Sequence, residues 1–417
     1  MMKKIVILLL SVVSSIAIAQ PTSHDTIVEG MSIERLARID NRIEQALKDK
    51  WFPGAVVLIM RNNQVVYQKA YGYSDLEKKT PLKQNDIFRI ASQTKAITSL
   101  AAMMLYEEGK FQLDDPVSKF IPEFKNIKVL SVFNESDSSY TTQPAKSEIT
   151  IRQLFTHTSG IDYAAIGSKP FNAIYAKAGI PSGIGNNNGL LKDKMKVLGG
   201  MPLSHHPGEE FTYGLNLDLL GYLVEIWGGK SLADFFQTRI FDPLEMRDTY
   251  FYLPKEKHSR LVPIYEEVES QLKKVTHTIY DNVDPSYPIH NGTYYSGGAG
   301  LSSTTEDYAR FLQLFLNKGQ YKGKQLISRK TIEMMLTNQT GTLSTQFGLG
   351  FQLETSVNDY LSPASLGTFS WGGAFNTTYW ADPKENMIAI LYTQIYNSHH
   401  REIGNLFKAM TYQAIVD

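Results

Sequence analysis

One stretch without a solvent face decides what this chain can fold into. Ala96-Ile97-Thr98-Ser99-Leu100-Ala101-Ala102-Met103-Met104-Leu105 is helix-forming and apolar nearly all round. A surface helix carries a polar stripe, so a helix lacking one lies in the middle of a protein and needs cover on every side. The flanks show what covers it. A helical period runs over residues 33–48, with Ile33, Leu36, Ile39, Ile43 and Leu47 on one face. Residues 55–60 and 65–70 are β-rich and bracket Arg61-Asn62-Asn63-Gln64, a hairpin signature. Helical patterns follow at 97–108, 216–227, 232–240 and 305–316, and strand patterns return at 347–353, 377–381 and 387–393. A last helix spans 402–414. Strands at both ends of a helical middle imply an α+β fold. Its antiparallel sheet is built from both chain ends and flanked by helices, with an inserted, mostly helical lobe. We expect one domain over 30–417, with 131–147 a polar, Ser-rich loop and 162–200 a mobile segment bordering a cleft.

Composition removes whole classes of function. Lys+Arg and Asp+Glu number 42 each, so no net charge draws the chain to nucleic acid or anionic membranes. With Cys 0, disulfides, Cys-ligated zinc, iron–sulfur clusters and thiol nucleophiles are out. Residues 1–19 read as a leader: Lys3 and Lys4, an apolar run shorter than the ~20 residues of a membrane span, then Ala17-Ile18-Ala19 for signal peptidase. The expected location is therefore periplasmic or secreted, with no stable membrane anchor after cleavage. His205-His206 and His399-His400 lack any accompanying ligand pattern and read as solvated surface residues. Gly297-Gly298-Ala299-Gly300 lacks the Gly-Lys-Ser/Thr ending of a phosphate loop. The absence of Gly-x-Ser-x-Gly counts against an α/β-hydrolase.

Ser92-Gln93-Thr94-Lys95 is the nucleophile candidate. At a helix start, residues three apart share a face, which sets Lys95 beside the Ser92 hydroxyl. Free N–H groups there favour developing negative charge, and a buried lysine held near neutrality can take the serine proton. A chain of this length contains Ser-x-x-Lys about once or twice by chance, and Ser270-Gln271-Leu272-Lys273 is a second copy. Context separates them. The second lies among Glu266, Glu267, Glu269 and Lys274, with nothing to dehydrate its lysine, whereas Ser92 opens the buried helix.

With these residues in place, the chain resembles the serine β-lactamase and penicillin-binding-protein superfamily, in its class C β-lactamase-like branch, which includes many esterases. The resemblance extends over about 33–411. It rests on Ser92-Gln93-Thr94-Lys95, then Leu154-Phe155-Thr156-His157-Thr158-Ser159-Gly160, Pro207-Gly208-Glu209-Glu210-Phe211-Thr212-Tyr213, Asp242-Pro243-Leu244-Glu245-Met246, Ser296-Gly297-Gly298-Ala299-Gly300-Leu301 and Trp371-Gly372-Gly373, in the family's order. It implies a β-lactamase/transpeptidase-like fold, Ser92 as the acylated nucleophile, Lys95 as its activator and Tyr213 as general base. Ala374, next after Trp371-Gly372-Gly373, would supply one oxyanion N–H and Ser92 the other. These motifs call for no metal and no cofactor.

Two departures set the substrate expectation. Family β-lactamases carry Tyr-x-Asn, but here Tyr213-Gly214-Leu215 puts Asn216 one place later, where it serves the site or caps the next helix. The usual Lys-Thr-Gly is Trp371-Gly372-Gly373, as in esterase-type members, and tryptophan brings an apolar face and one N–H in place of a cation. A carboxylic ester hydrolase is the first reading. A β-lactamase, D-alanyl-D-alanine carboxypeptidase or D-aminopeptidase is the alternative, and a non-catalytic sensor of the same fold is a distant one. The partner is then a small ester, β-lactam or peptide, and specificity is expected in 162–200 and 251–291. Ser92→Ala and Tyr213→Phe should each lower turnover by about 10²–10⁴ or more, with thermal stability nearly unchanged. Ser270→Ala should leave hydrolysis intact; kinetics of the three purified variants on one ester check this.

Overall fold

A strand buried at every position needs a layer on each of its faces, and Gly54–Arg61 is such a strand. The computed structural model describes residues 25–186, 188–280 and 282–417; the expected leader lies outside them. The chain enters through helix α1 (Ile33–Lys48), whose N-cap Ser32 hydroxyl accepts from the Arg35 amide at 3.0 Å. Strands β1 (Gly54–Arg61), β2 (Gln64–Asp75) and β3 (Thr80–Pro81) follow, with Asn62 and Asn63 at φ 52° and 63° in the β1–β2 turn, as a tight hairpin requires. After the lobe come β4 (Gln352–Leu353), β5 (Phe369–Gly373), β6 (Thr377–Asp382) and β7 (Met387–Tyr392).

The sheet order is β4-β5-β6-β7-β1-β2-β3, every pair antiparallel. Its middle seam joins the two chain ends, with Val57 opposite Leu391. Alternation then sorts the side chains. Val57, Ile59, Ala389 and Leu391 pack with Leu36, Ile39 and Ile43 of α1 and Phe407 of the last helix, Ile403–Tyr412. Val56, Leu58, Ile388 and Ile390 face the other way, into the main core with the lobe.

Helix α2 (Thr94–Glu107) runs through that core, and every residue from Thr94 to Leu105 is buried. Against it lies α3 (Asn216–Gly228), and α4 (Thr305–Leu316) packs on the sheet. Among the described residues, no helix is long and apolar enough to cross a membrane. The architecture is the α+β arrangement expected.

Three local readings change. Residues 131–147 are not all loop: Lys128–Phe133 pairs with Tyr140–Pro144, and a register shift between Leu130 and Val132 sets Ser131 in a bulge. The β-branched and aromatic residues win over the serines there. The strand expected at 347–353 shrinks to β4, because Phe347 pairs back on Gln352 around Gly350 at φ 99°. A Cβ on Gly350 would stand 2.2 Å from the Ser99 hydroxyl, so the turn is pressed onto α2. Segment 162–200 carries two helices, Lys169–Lys177 and Leu191–Gly199.

Leu100, 0% exposed in the middle of α2, tests the burial argument. Leu100→Ala should cost about 2–5 kcal/mol of unfolding free energy, read as a lowered midpoint in chemical denaturation.

Candidate active site

The backbone tightens just ahead of the candidate serine. Ala91 holds φ 43°, a left-handed value that costs an L-residue, and Ala91–Gln93 form a 3₁₀ turn leading into α2. This leaves Ser92 half-buried at the helix entry and Lys95 in the first turn, only 2% exposed. The ammonium has three N–H groups and meets three acceptors: Ser92 Oγ at 3.3 Å, Tyr163 Oη at 2.8 Å and the Gly298 carbonyl at 2.8 Å. As a neutral amine, Lys95 would keep two N–H groups and gain a lone pair. Of these three partners only Ser92 and Tyr163 have a proton to give it, so Gly298 always takes an N–H.

Tyr213 stands across the ammonium. Lys95 Nζ lies 4.5 Å from the centre of its ring, and its hydroxyl accepts from Trp371 Nε1 at 3.4 Å. The structure thus gathers Ser92, Lys95, Tyr213 and Trp371, with Lys95 meeting the face of Tyr213 and the oxygen of Tyr163. Tyr163 went unnoticed in the sequence. It lies three residues past the His157-Thr158-Ser159-Gly160 motif, and nothing in its spacing separates it from the other tyrosines of the 23 in the chain. Burial first, then the neighbouring Tyr213 and Asp218, pushes its phenol well above the ordinary range.

Trp371 projects from β5 into an aromatic wall. Its ring centre is 5.5 Å from Tyr213 and 5.2 Å from Phe347. β4 pairs only with Phe369 and Ser370, so the β4 side of Trp371, Gly372 and Gly373 is left without a strand partner. Gly373 fits there because a Cβ would stand 2.5 Å from the Ile90 carbonyl, just before the nucleophile turn. Ala374, next after Gly373, packs against the small cluster that contains Ala91, the residue before Ser92.

Asn216 is turned inward and does not face the cleft. Fully buried, it donates to His157 Nδ1 at 3.1 Å and accepts from the Ser159 hydroxyl, and its side chain makes no cap on α3. His157 in turn backs the Tyr213 ring, centres 4.8 Å apart. The second Ser-x-x-Lys is a hairpin tip, with Glu269 and Ser270 at φ 52° and 59° between Tyr265–Val268 and Gln271–Lys274, and Lys273 is exposed. His399 is exposed and His400 stacks on Trp51 at 4.4 Å. His205 departs from the solvated reading, being 7% exposed with Nδ1 on the His206 carbonyl at 2.8 Å. Among the described residues, no three His, Asp or Glu side chains gather as a metal site would need.

The family model described as Beta-lactamase matches residues 39–410. This chain belongs to the β-lactamase family. It is a serine hydrolase of the β-lactamase and penicillin-binding-protein superfamily. Protein Rv1367c of Mycobacterium tuberculosis is 31% identical, covering 82% of this chain and 85% of that protein. Esterase EstB of Burkholderia gladioli is 29% identical over 86% of this chain and 90% of its own length. Among solved structures, EstCE1, described as a hydrolase with promiscuous acyltransferase activity, superposes with a TM-score of 0.78. It is 26% identical and covers 91% of this chain and 99% of its own.

His157 provides a pH test. Burial first, then the Lys95 charge, holds its imidazole well below the usual 6.5. The unfolded chain therefore binds a proton near pH 6.5 that the folded one refuses, and this residue withdraws stability as pH falls below that value. In His157→Gln the loss of stability between pH 7 and 5 should be shallower, by up to about 1.4 kcal/mol per pH unit, in denaturant titrations at each pH.

Proposed function

We propose that this chain is an exported carboxylic ester hydrolase that works through an acyl-enzyme on Ser92. Ser92 Oγ attacks the ester carbonyl and gives its proton to the Lys95–Tyr213 pair. The Ser92 and Ala374 amides hold the oxyanion, and the proton passes on to the departing alkoxide, which leaves as alcohol. Water then enters by the same route in reverse, breaks the acyl–serine bond and releases the acid. Export rests on the expected leader over 1–19.

The observation that carries the ester reading is Trp371, its indole bonded to the Tyr213 hydroxyl. Where the resemblance leads one to expect a lysine for a substrate carboxylate, the cleft presents an apolar ring among Tyr213 and Phe347. A carboxylate set against that ring would exchange water for aromatic carbon, which costs several kcal/mol unless a cation reaches it; Arg401 and Lys408 line the cavity that borders Trp371 to Gly373. A neutral ester escapes that cost. Four of the five lysines of 162–200 have other partners: Lys169 and Lys196 pair with Glu135 and Glu123, while Lys177 and Lys194 bond the Asp137 and Gly179 carbonyls, and the fifth, Lys192, acts on Glu225. That the relatives include Esterase EstB supports the same reading.

The expected outcome is a kcat/KM for a short-chain p-nitrophenyl ester at least about 10²-fold above that for a chromogenic cephalosporin, or about 2.7 kcal/mol. Trp371→Lys should narrow the gap. Comparable wild-type rates on the two substrates would instead favour a β-lactamase.

A further inference from the structure

Asp218 is the one charged residue in the first turn of α3, and it has no solvent exposure. Its neighbours are the Ser296 hydroxyl, the Tyr294 phenol, the Gly298 amide and the Lys95 ammonium. Taking a carboxylate fully out of water is costly even when it is hydrogen-bonded, and Lys95 is the one cation named beside it. Its position shows what it faces. A Cβ on Gly298 would lie 2.4 Å from Asp218 Oδ2 and 3.6 Å from Lys95 Nζ. The acid and the lysine thus converge on one bare backbone position, and that residue's carbonyl is itself a Lys95 acceptor. No other residue fits between them.

We propose that Asp218 is a positioning residue for the nucleophile, a buried counter-charge against which the Lys95–Tyr213 pair takes up and returns the Ser92 proton. The inference rests on the Ser92 acyl-enzyme reading and extends it. Before Ser92 attacks, the Lys95–Tyr213 pair is one proton short; it takes the serine proton as the Oγ–carbonyl bond forms, and the positive charge this leaves at Lys95 lies beside Asp218. When the alkoxide leaves, the proton goes out with it, and Asp218 keeps its charge throughout. Burial pushes the Asp218 carboxyl up to about 6, opposed by Ser296, Lys95, the Gly298 amide and Tyr294. The other titratable groups around Asp218 and Lys95 are Tyr163, Tyr213, Tyr294 and His157, with Glu225 further along α3 beyond Tyr294.

The sign of the effect follows. Removing a nearby negative charge makes the Lys95–Tyr213 pair release its proton more easily and bind it less strongly. The acid limb of reactivity then moves to lower pH while the plateau falls, because a weaker base accepts the serine proton less well.

The test is the rate at which a neutral fluorophosphonate labels Ser92 between pH 5 and 9, followed by intact mass, in the full chain and in Asp218→Asn. This probe reports nucleophile activation whatever the natural substrate is. The expected result is a plateau rate at least about tenfold lower, an acid limb displaced to lower pH, and a thermal midpoint no lower than wild type. Gly298→Ala, whose methyl would displace the carboxylate, should show the same slowing. It also serves as the test if the Asp218→Asn chain does not fold. A plateau within twofold of wild type with an unmoved limb overturns the inference and leaves Asp218 structural. A wild-type chain that is never labelled overturns the hydrolase reading itself, a failure visible in the control before any variant is compared.

Discussion

An ammonium group buried in a helix that never reaches solvent is the constraint on which this molecule depends. An unpaired lysine there would cost several kcal/mol, and the protein meets the cost with three acceptors at fixed directions around one nitrogen. Ser92 comes from the entry of α2, Tyr163 from the segment after the histidine motif, and Gly298 from the glycine-rich stretch before α4. Residues more than two hundred positions apart are thereby held to a common point. A loosening of any one of the three segments leaves a buried cation short of a partner, so the geometry of the nucleophile is coupled to the stability of the core.

Much of this was legible in the residues, for identifiable reasons. The ends of α1 and α4 agree with the period of their apolar residues, and the Asn62-Asn63 turn with its need for positive φ. Ser92 and Lys95 stood out against Ser270 and Lys273 because a buried lysine writes an apolar neighbourhood into the sequence. Tyr163 and Gly298 left no comparable trace: one acts through a hydroxyl common to many tyrosines, the other through a carbonyl that any residue possesses. Asp218 did leave one, an acid in the first turn of a largely apolar helix, though its meaning depended on what lay opposite. The 347–353 stretch misled because its apolar residues serve a turn packed on α2. Asn216 was visible in the motif, but its direction was a matter of packing.

The wall formed by Phe347, Tyr213 and Trp371 separates the site's polar machinery from its recognition surface. Lys95 satisfies its charge inward, toward Gly298 and Tyr163, so little of its field is offered to a substrate. On the ester reading proposed above, the face left for recognition is aromatic and would contact a ligand through area and shape. Selectivity on such a face grows by increments of a methylene or so, each worth about 1–3 kcal/mol. This suits a catalyst tolerant of varied acyl groups.

The central seam of the sheet has a temporal side. β1 is made early in synthesis, and its partner β7 only some 330 residues later, after the whole lobe. Until then the apolar edge of the β1–β2 hairpin has nothing to pair with. Contacts of such long range slow folding and prolong exposure to aggregation. Once the seam closes, the ends are locked together: the Ser32 amide donates to the Ala414 carbonyl at 2.8 Å, and Arg61 pairs with Asp417 at 2.8 Å. A nascent chain of this topology is therefore a thread until it is nearly finished, and the residues that follow its final helix complete the clasp on the first.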